Sequence, residues 1–147
     1  MKSLFKKVSV LILSVLNCTS CSLLSSKKVD IYLENNFKIV REYVNGYEVQ
    51  LGDMLLPKYY SNIYIHENSS YEMVLKFKDD YVQEISGTYH LSANDDGKSG
   101  EGFFECDGKK IEMSFENHYY LVFTLPDWLY NSDGKEHLLY FEKWIYA

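Results

Sequence analysis

Short runs in which apolar and polar residues alternate recur along most of the chain, and turn residues separate one run from the next. Over residues 71–78, for example, apolar side chains alternate with Glu72, Lys76 and Lys78. A period of two places successive side chains on opposite faces of a β-strand, so each run predicts a half-buried strand. About nine or ten such runs, spaced roughly 8–12 residues apart, predict an all-β fold: an antiparallel meander of about 8–10 strands forming a small barrel or a sandwich.

The clearest local signal is the dipeptide Asn45-Gly46, which favours the two-residue turn of a β-hairpin because both residues adopt positive φ readily. The flanking runs alternate on both sides of it. Before the turn, one face carries Phe37, Ile39 and Tyr43 and the other carries Lys38 and Glu42; after it, Tyr47, Val49 and Leu51 alternate with Glu48 and Gln50. We therefore predict a hairpin centred on this turn.

The remaining strands follow from the same alternation. They are predicted at residues 60–67, 71–78, 81–91 (with an irregularity at Gly87), 102–106, 110–116, 119–125 and 137–146. Residues 68–70, 79–80, 107–108 and 131–134 are predicted turns. Ile111, Met113 and Phe115 are expected on an inner face, and residues 119–125, which are almost all apolar, are expected to be buried on both sides.

The first 20 residues have the features of an export signal. Lys2, Lys6 and Lys7 precede an apolar stretch, residues 8–16, that is too short to span a membrane. Asn17-Cys18-Thr19-Ser20-Cys21 then resembles the lipobox of bacterial prelipoproteins, with small residues before Cys21 and Cys18 where leucine is usual. The resemblance implies cleavage before Cys21 and a lipid anchor (diacylglyceryl and palmitate-type acyl groups) on that cysteine. Ser22 resembles the pattern sorted to the outer membrane in Gram-negative cells; in a Gram-positive host the protein would remain on the outer face of the cell membrane.

This interpretation divides the chain into a signal peptide (1–20), a lipidated N-terminus and tether (21–29) and one β-rich domain (30–147). Loss of the three leader lysines changes the net charge from −6 to −9. So acidic a domain repels phosphate backbones, which argues against nucleic acid as a partner. Cys106 would be the only thiol left unmodified, so we expect no disulfide and a small buried side chain at that position.

Catalytic and metal-binding patterns are missing from the sequence. His66, His90, His118 and His137 lack the spacing of metal ligands, and the acid pairs Asp79-Asp80 and Asp95-Asp96 lie in predicted turns. No nucleophile elbow, phosphate loop or dinucleotide fingerprint occurs. We therefore predict a protein without catalytic residues, metal or cofactor.

Aromatic residues are unusually abundant, at 16% of the chain with 14 tyrosines. Tyrosine is common in strands but also enriched in binding surfaces. Trp128 and Tyr130 follow Pro126 and are predicted to lie in an exposed loop, where large aromatic side chains indicate recognition. The predicted binding surface comprises Trp128, Tyr130, Tyr119, Tyr120 and Trp144.

The preferred functional hypothesis is a non-enzymatic envelope lipoprotein that binds or inhibits a basic protein partner, as inhibitor or immunity lipoproteins do. Two alternatives remain open. Residues 85–91 (ISGTYHL) and the final FEKW are similar to small lipocalin-like lipoprotein domains, which implies a carrier of a small apolar ligand. The other alternative is a structural accessory in envelope assembly.

Overall fold

A computed structural model describes residues 35–117 and 119–144, so the predicted leader, Cys21, the tether and His118 lie outside the described residues. This part contains nine strands and one 3₁₀ turn, Leu51–Asp53. The strands are β1 (Asn35–Val44), β2 (Tyr47–Glu48), β3 (Asn62–Ile65), β4 (Ser70–Lys76), β5 (Val82–Ala93), β6 (Gly100–Cys106), β7 (Lys109–Glu116), β8 (Tyr120–Thr124) and β9 (His137–Trp144). No helix in this part of the chain is long and apolar enough to cross a membrane.

The strands form a closed antiparallel barrel. Neighbours in sequence pair in turn from β3 to β9, and β1 closes the ring by pairing with both β3 and β9. β2 adds a short ninth strand beside the second half of β1. The all-β prediction is confirmed, and of the two architectures left open the fold is the barrel with up-and-down connections.

The turn predictions hold at both dipeptides that favour positive φ. Asn45 and Gly46 have φ of 53° and 83°, and Asp107 and Gly108 have 50° and 80°, as a type I′ hairpin turn requires. The return strand after Asn45-Gly46 is much shorter than predicted, however. Only Tyr47 and Glu48 pair with β1, and the chain then leaves the sheet for the 3₁₀ turn.

A β-bulge at Val40 overturns the predicted faces of β1. The register with β9 shifts between Ile39 and Arg41, which adds one residue to β1. Because one extra residue exchanges the two faces, Glu42 points into the barrel and is 1% exposed, whereas Tyr43 lies on the outer wall. The sequence alternation breaks at this point, but it does not indicate which residue bulges.

Side chains fill the barrel interior, as an eight-stranded barrel permits. Phe104, Phe123 and Phe141 contact one another in series, with ring centroids 6.1 Å and 5.4 Å apart. The predicted inner residues of β4 and β7 are all buried there: Tyr71, Met73 and Leu75, with Phe77 just beyond β4, and Ile111, Met113 and Phe115. Leu121 to Phe123 of β8 are also buried, which confirms that prediction for the middle of the strand.

Glycines allow two strands of the wall to approach closely. A Cβ at Gly87 would lie 1.9 Å from the carbonyl oxygen of Glu105, and one at Gly102 would lie 1.8 Å from that of His90. The irregularity predicted at Gly87 is not found, because β5 pairs with β4 without a register shift from Val82 to Thr88 and with β6 from Thr88 onward.

The barrel has two distinct ends. The near end carries Asn35, where the described chain begins, together with the turn after β3, the loop after β5 and Trp144. The far end comprises residues 45–56, 77–81, 107–109 and 125–136. It is closed by buried side chains of the segments between β2 and β3 and between β8 and β9: Met54, Leu55, Leu56, Leu125 and Leu129.

Candidate binding surface

The segment between β8 and β9 brings Tyr130 into an aromatic cluster at the far end. Its ring stacks on Tyr81 at 4.1 Å and meets Phe77 edge-on at 4.9 Å. The Tyr130 backbone N–H donates to the side-chain oxygen of Gln83 at 3.0 Å. Tyr130 is therefore half-buried against the core, and the prediction of a freely exposed loop is wrong for it. The exposed member of the stack is Tyr81, at 46%.

An acidic residue fixes this stack from the solvent side. The Tyr130 hydroxyl donates a hydrogen bond to the carboxylate of Asp79 in the turn between β4 and β5. This bond raises the pKa of the Tyr130 phenol and lowers the pKa of Asp79, since it favours the protonated phenol and the ionised carboxylate. The far end thus holds an aromatic pair in one orientation with a negative charge beside it.

Trp128 is also half-buried, packed against the core from the same segment. The ammonium group of Lys109, at the tip of the β6–β7 hairpin, lies 5.3 Å from its ring centroid, within the range of a cation–π interaction. Trp128 therefore joins two far-end elements, and the exposed-loop prediction is wrong for this residue as well.

Acidic side chains surround these rings. The four segments of the far end contain eight acids and three lysines, and all eleven are exposed. The acids are Glu48, Asp53, Asp79, Asp80, Asp107, Asp127, Asp133 and Glu136, and the lysines are Lys78, Lys109 and Lys135. Tyr47 and Leu51, at 79% and 63% exposed, add apolar surface to this end. No local sequence pattern assigns Tyr81, Tyr47 or Leu51 to a binding surface, because their positions depend on how the turns come together.

The other three residues of the predicted surface lie elsewhere. Trp144 is at the near end, where its ring contacts Tyr59 at 5.5 Å and Lys38 lies over it at 5.6 Å. Tyr119 and Tyr120 belong to the start of β8, toward the same end. The prediction that all five residues form one surface is therefore wrong, because the barrel separates its two ends.

Tyr120 belongs to an aromatic cluster on the outer wall that already contains a cation. Arg41, the single arginine of the chain, lies 5.2 Å from the Tyr120 ring and 4.8 Å from the Tyr140 ring. Tyr43 contacts Tyr140 at 5.5 Å. Desolvation, followed by the charge of Glu116, raises the pKa of Tyr140. These rings stabilise the wall by binding Arg41, which leaves the far end as the better candidate for an external partner.

A hydrogen-bonded network around two buried side chains, His137 and Glu42, ties the far-end segments together. The Nδ1 atom of His137 lies 2.7 Å from Glu42, and its Nε2 atom lies 2.7 Å from Asp133. Glu42 also accepts hydrogen bonds from the backbone N–H groups of Leu55, at 2.9 Å, and Leu56, at 3.3 Å. The network therefore links β1, β9, the segment before β3 and the turn before β9.

The sequence alone does not indicate this network. The sequence alternation places Glu42 on the solvent face, and His137 marks only the start of a predicted strand. Burial raises the pKa of Asp133, but the hydrogen bonds from His137 and from the Lys135 N–H outweigh burial, so the pKa is lowered overall. A lowered pKa means that this carboxylate stabilises the fold at neutral pH, and that the contribution is lost as the pH falls through the lowered value.

Cys106 differs from expectation, because it is half-buried at the end of β6 rather than enclosed. Its Sγ atom lies 3.9 Å from Asp107.

Within residues 35–117 and 119–144, no three histidine, cysteine or acidic side chains converge as metal ligands would.

The far end is thus a surface of aromatic rings and carboxylates held in fixed positions. It could bind positively charged groups of a partner by charge and by ring contact. Comparisons with protein-family models, with curated proteins and with solved structures found no match for this chain.

Proposed function

We propose that the protein is an exported lipoprotein, anchored through Cys21, whose barrel binds a basic protein partner at its far end without catalysing a reaction. The observation that carries the proposal is the far-end surface, where Tyr47, Leu51 and Tyr81 are exposed among eight carboxylates. Large aromatic anchors with a charged surround are typical of protein-binding sites.

The position of the N-terminus supports this arrangement. The described chain begins at the near end with Asn35, and the residues from Cys21 to Asn35 can span at most about 50 Å. An anchor on Cys21 would join the membrane to the near end of the barrel, so the far end would stay free to meet a partner in the periplasm or the medium. The proposed localisation is accordingly the bacterial envelope, at the periplasmic face of the outer membrane or, in a Gram-positive host, the outer face of the cell membrane.

The lipid anchor makes a direct prediction about two cysteines. Replacing Cys21 by serine should abolish incorporation of labelled palmitate and release the protein from the membrane fraction, because no other residue would accept the diacylglyceryl group. Cys18→Ser is the matched control and should leave both properties intact. Palmitate incorporation that persists in Cys21→Ser and disappears in Cys18→Ser would contradict the assignment of Cys21.

The binding geometry supports partner capture in two steps. An excess of five negative charges at the far end would attract a basic partner over a distance of about a Debye length, which is ~8 Å at physiological salt. Contact with rings already oriented by Asp79 and Phe77 would then cost little side-chain entropy. We therefore expect the exposed Tyr81 ring to contribute much of the binding energy.

Replacing Tyr81 by alanine should weaken recovery of the partner from envelope extracts at least about tenfold, the scale of a binding hot spot. The matched control is Tyr64→Ala, since Tyr64 is comparably exposed but lies on β3, outside the far end. Recovery should also fall at about 0.5 M salt, where charges are strongly screened. Equal recovery of the two variants, or recovery unchanged by salt, would contradict the proposal.

Binding at the far end is preferred over carriage of a small apolar ligand because core rings occupy the barrel interior. A ligand would have to displace side chains such as Phe104 and Phe123, both buried. The carrier function and the role in envelope assembly stay predictions.

A further inference from the structure

One strand of the barrel has an edge that no other strand covers. β5 is twelve residues long, but β6 pairs only with Thr88–Ala93. Beyond Thr88, β6 ends at Cys106 and turns away at Asp107. Within the described part of the chain, the segment Val82–Gly87 therefore pairs with β4 on one side and with no strand on the other. Its length corresponds to about 20 Å of strand.

The backbone groups on this edge can be identified from the hydrogen-bond pattern. The N–H of Tyr89 donates to the carbonyl of Ser69, and the carbonyl of Tyr81 accepts from the N–H of Phe77, so odd-numbered residues of β5 face β4. Because alternate residues of an antiparallel strand bond in opposite directions, Val82, Glu84 and Ser86 direct their N–H and C=O groups to the uncovered side. Three donors and three acceptors are thus aligned for another strand.

A depression of about 520 Å³ lies beside this edge. Its lining includes the carboxylates of Glu72, Glu84 and Asp107 and contains no lysine or arginine. Glu72 is also hydrogen-bonded to His66 at 3.0 Å. The edge begins next to Tyr81, so it is continuous with the far-end surface. A strand placed here would have side chains next to Glu84 and Asp107 where the depression borders the edge, whereas Lys76 lies across from Val82 at the start of the edge.

The charge also argues against a second copy of the chain as the occupant. If two β5 edges paired antiparallel about their centres, Glu84 would lie opposite Glu84 of the other copy, which destabilises the pair. Uncovered edges carrying charge are a common protection against self-association. Lysine or arginine on an incoming strand would instead face Glu84 and Asp107 favourably.

We propose that Val82–Gly87 of β5 binds an extended, lysine- or arginine-containing segment of the protein partner as an added antiparallel strand. Backbone hydrogen bonds would give affinity, and the neighbouring carboxylates would select basic side chains. The inference rests on the proposed function only in assigning the segment to the far-end partner; the edge itself can be tested alone.

The test uses amide hydrogen exchange in the 21–147 chain, with an acetylated and amidated peptide of sequence Lys-Val-Lys-Val-Lys-Val-Lys as the probe. In the unbound protein, the amides of Val82, Glu84 and Ser86 should exchange faster than those of Gln83 and Ile85, which face β4. Peptide at ten times its dissociation constant should lower the hydrogen-exchange rates of the three fast amides about tenfold. The same peptide N-methylated at every residue, which removes the backbone donors from both of its edges, should leave the exchange rates of these three amides unchanged.

Two protein variants separate strand addition from simple charge attraction. Glu84→Pro removes an N–H from the uncovered side, where proline is tolerated, and should abolish peptide binding while the β4–β5 pairing persists. Glu84→Lys should weaken binding at least about fivefold because it introduces a like charge, whereas the control Glu101→Lys lies on a strand paired on both sides and should have little effect.

Four results would overturn the inference. They are the absence of peptide binding, equally slow exchange of all β5 amides without peptide, undiminished binding of the N-methylated peptide, and protection that depends on protein concentration alone, which would identify a second copy as the occupant. Tyr81→Ala distinguishes the two proposals, since it should reduce partner recovery but leave binding of the short peptide intact. Peptide binding without any recoverable partner would support the edge site and count against the proposed function.

Discussion

Replacing His137 by alanine is expected to lower the free energy of unfolding by about 3–5 kcal/mol, the scale seen when one partner of a buried ion pair is removed. His137 is 2% exposed, and its two ring nitrogens face the carboxylates of Glu42 and Asp133 at 2.7 Å. Without the imidazole, Glu42 would remain buried beside Leu55 and Leu56 with only backbone partners. The far end should therefore loosen first, and denaturant unfolding measures the loss.

The chain offers a matched control for this substitution. His66 makes a hydrogen-bonded pair with Glu72 at 3.0 Å, but their side chains are 48% and 64% exposed. Exposed pairs contribute little, so His66→Ala should change the free energy of unfolding by less than about 1 kcal/mol. If the two variants lost similarly small amounts of unfolding free energy, the His137 network would not be what holds the far end together.

The second large effect is expected at Gly102, where alanine should cost about 3 kcal/mol, near the upper end of the usual range for overpacking. The added Cβ would lie 1.8 Å from the carbonyl oxygen of His90 and 2.8 Å from the Cα of Leu91. Both contacts are to backbone, so no rotamer change relieves them, and β5 and β6 must separate. Thermal and denaturant unfolding of Gly102→Ala should report the loss.

Gly52 provides the comparison for that variant. A Cβ at this position would meet nothing within 4 Å. Gly52→Ala should therefore be neutral or slightly stabilising, by up to about 1 kcal/mol, because it restricts the unfolded chain. If both alanine variants had the same free energy of unfolding, the result would contradict the close approach of β5 and β6 at Gly102.

Strands and tight turns of this barrel follow closely from local sequence. The alternation in residues 71–78 and 110–116 and the dipeptides Asn45-Gly46 and Asp107-Gly108 indicate structure within a few residues, because period and φ preference are local properties. Closure of the sheet into a barrel is different. It depends on pairing between β1 and β9, about a hundred residues apart, and no local pattern specifies it.

The candidate surface likewise could not be predicted from local sequence alone. Trp128 and Tyr130 were recognisable as unusual loop aromatics, but their partners Lys109 and Tyr81 come from other turns. One bulge at Val40 was enough to exchange the positions of Glu42 and Tyr43, which concealed the buried network. Residue type alone groups Trp144 and Tyr119 with Trp128, whereas the barrel places them at its other end.

Site-specific photo-cross-linking in the living host tests the central claim, partner binding at the far end. A photoreactive amino acid at Tyr47, which is 79% exposed at the far end, should yield a discrete cross-linked species that disappears when Tyr81→Ala is added. The same group at Asn68, exposed at the near end, should not yield it. Cross-linking of the same species from Asn68 alone, or equally from both positions, would contradict the account.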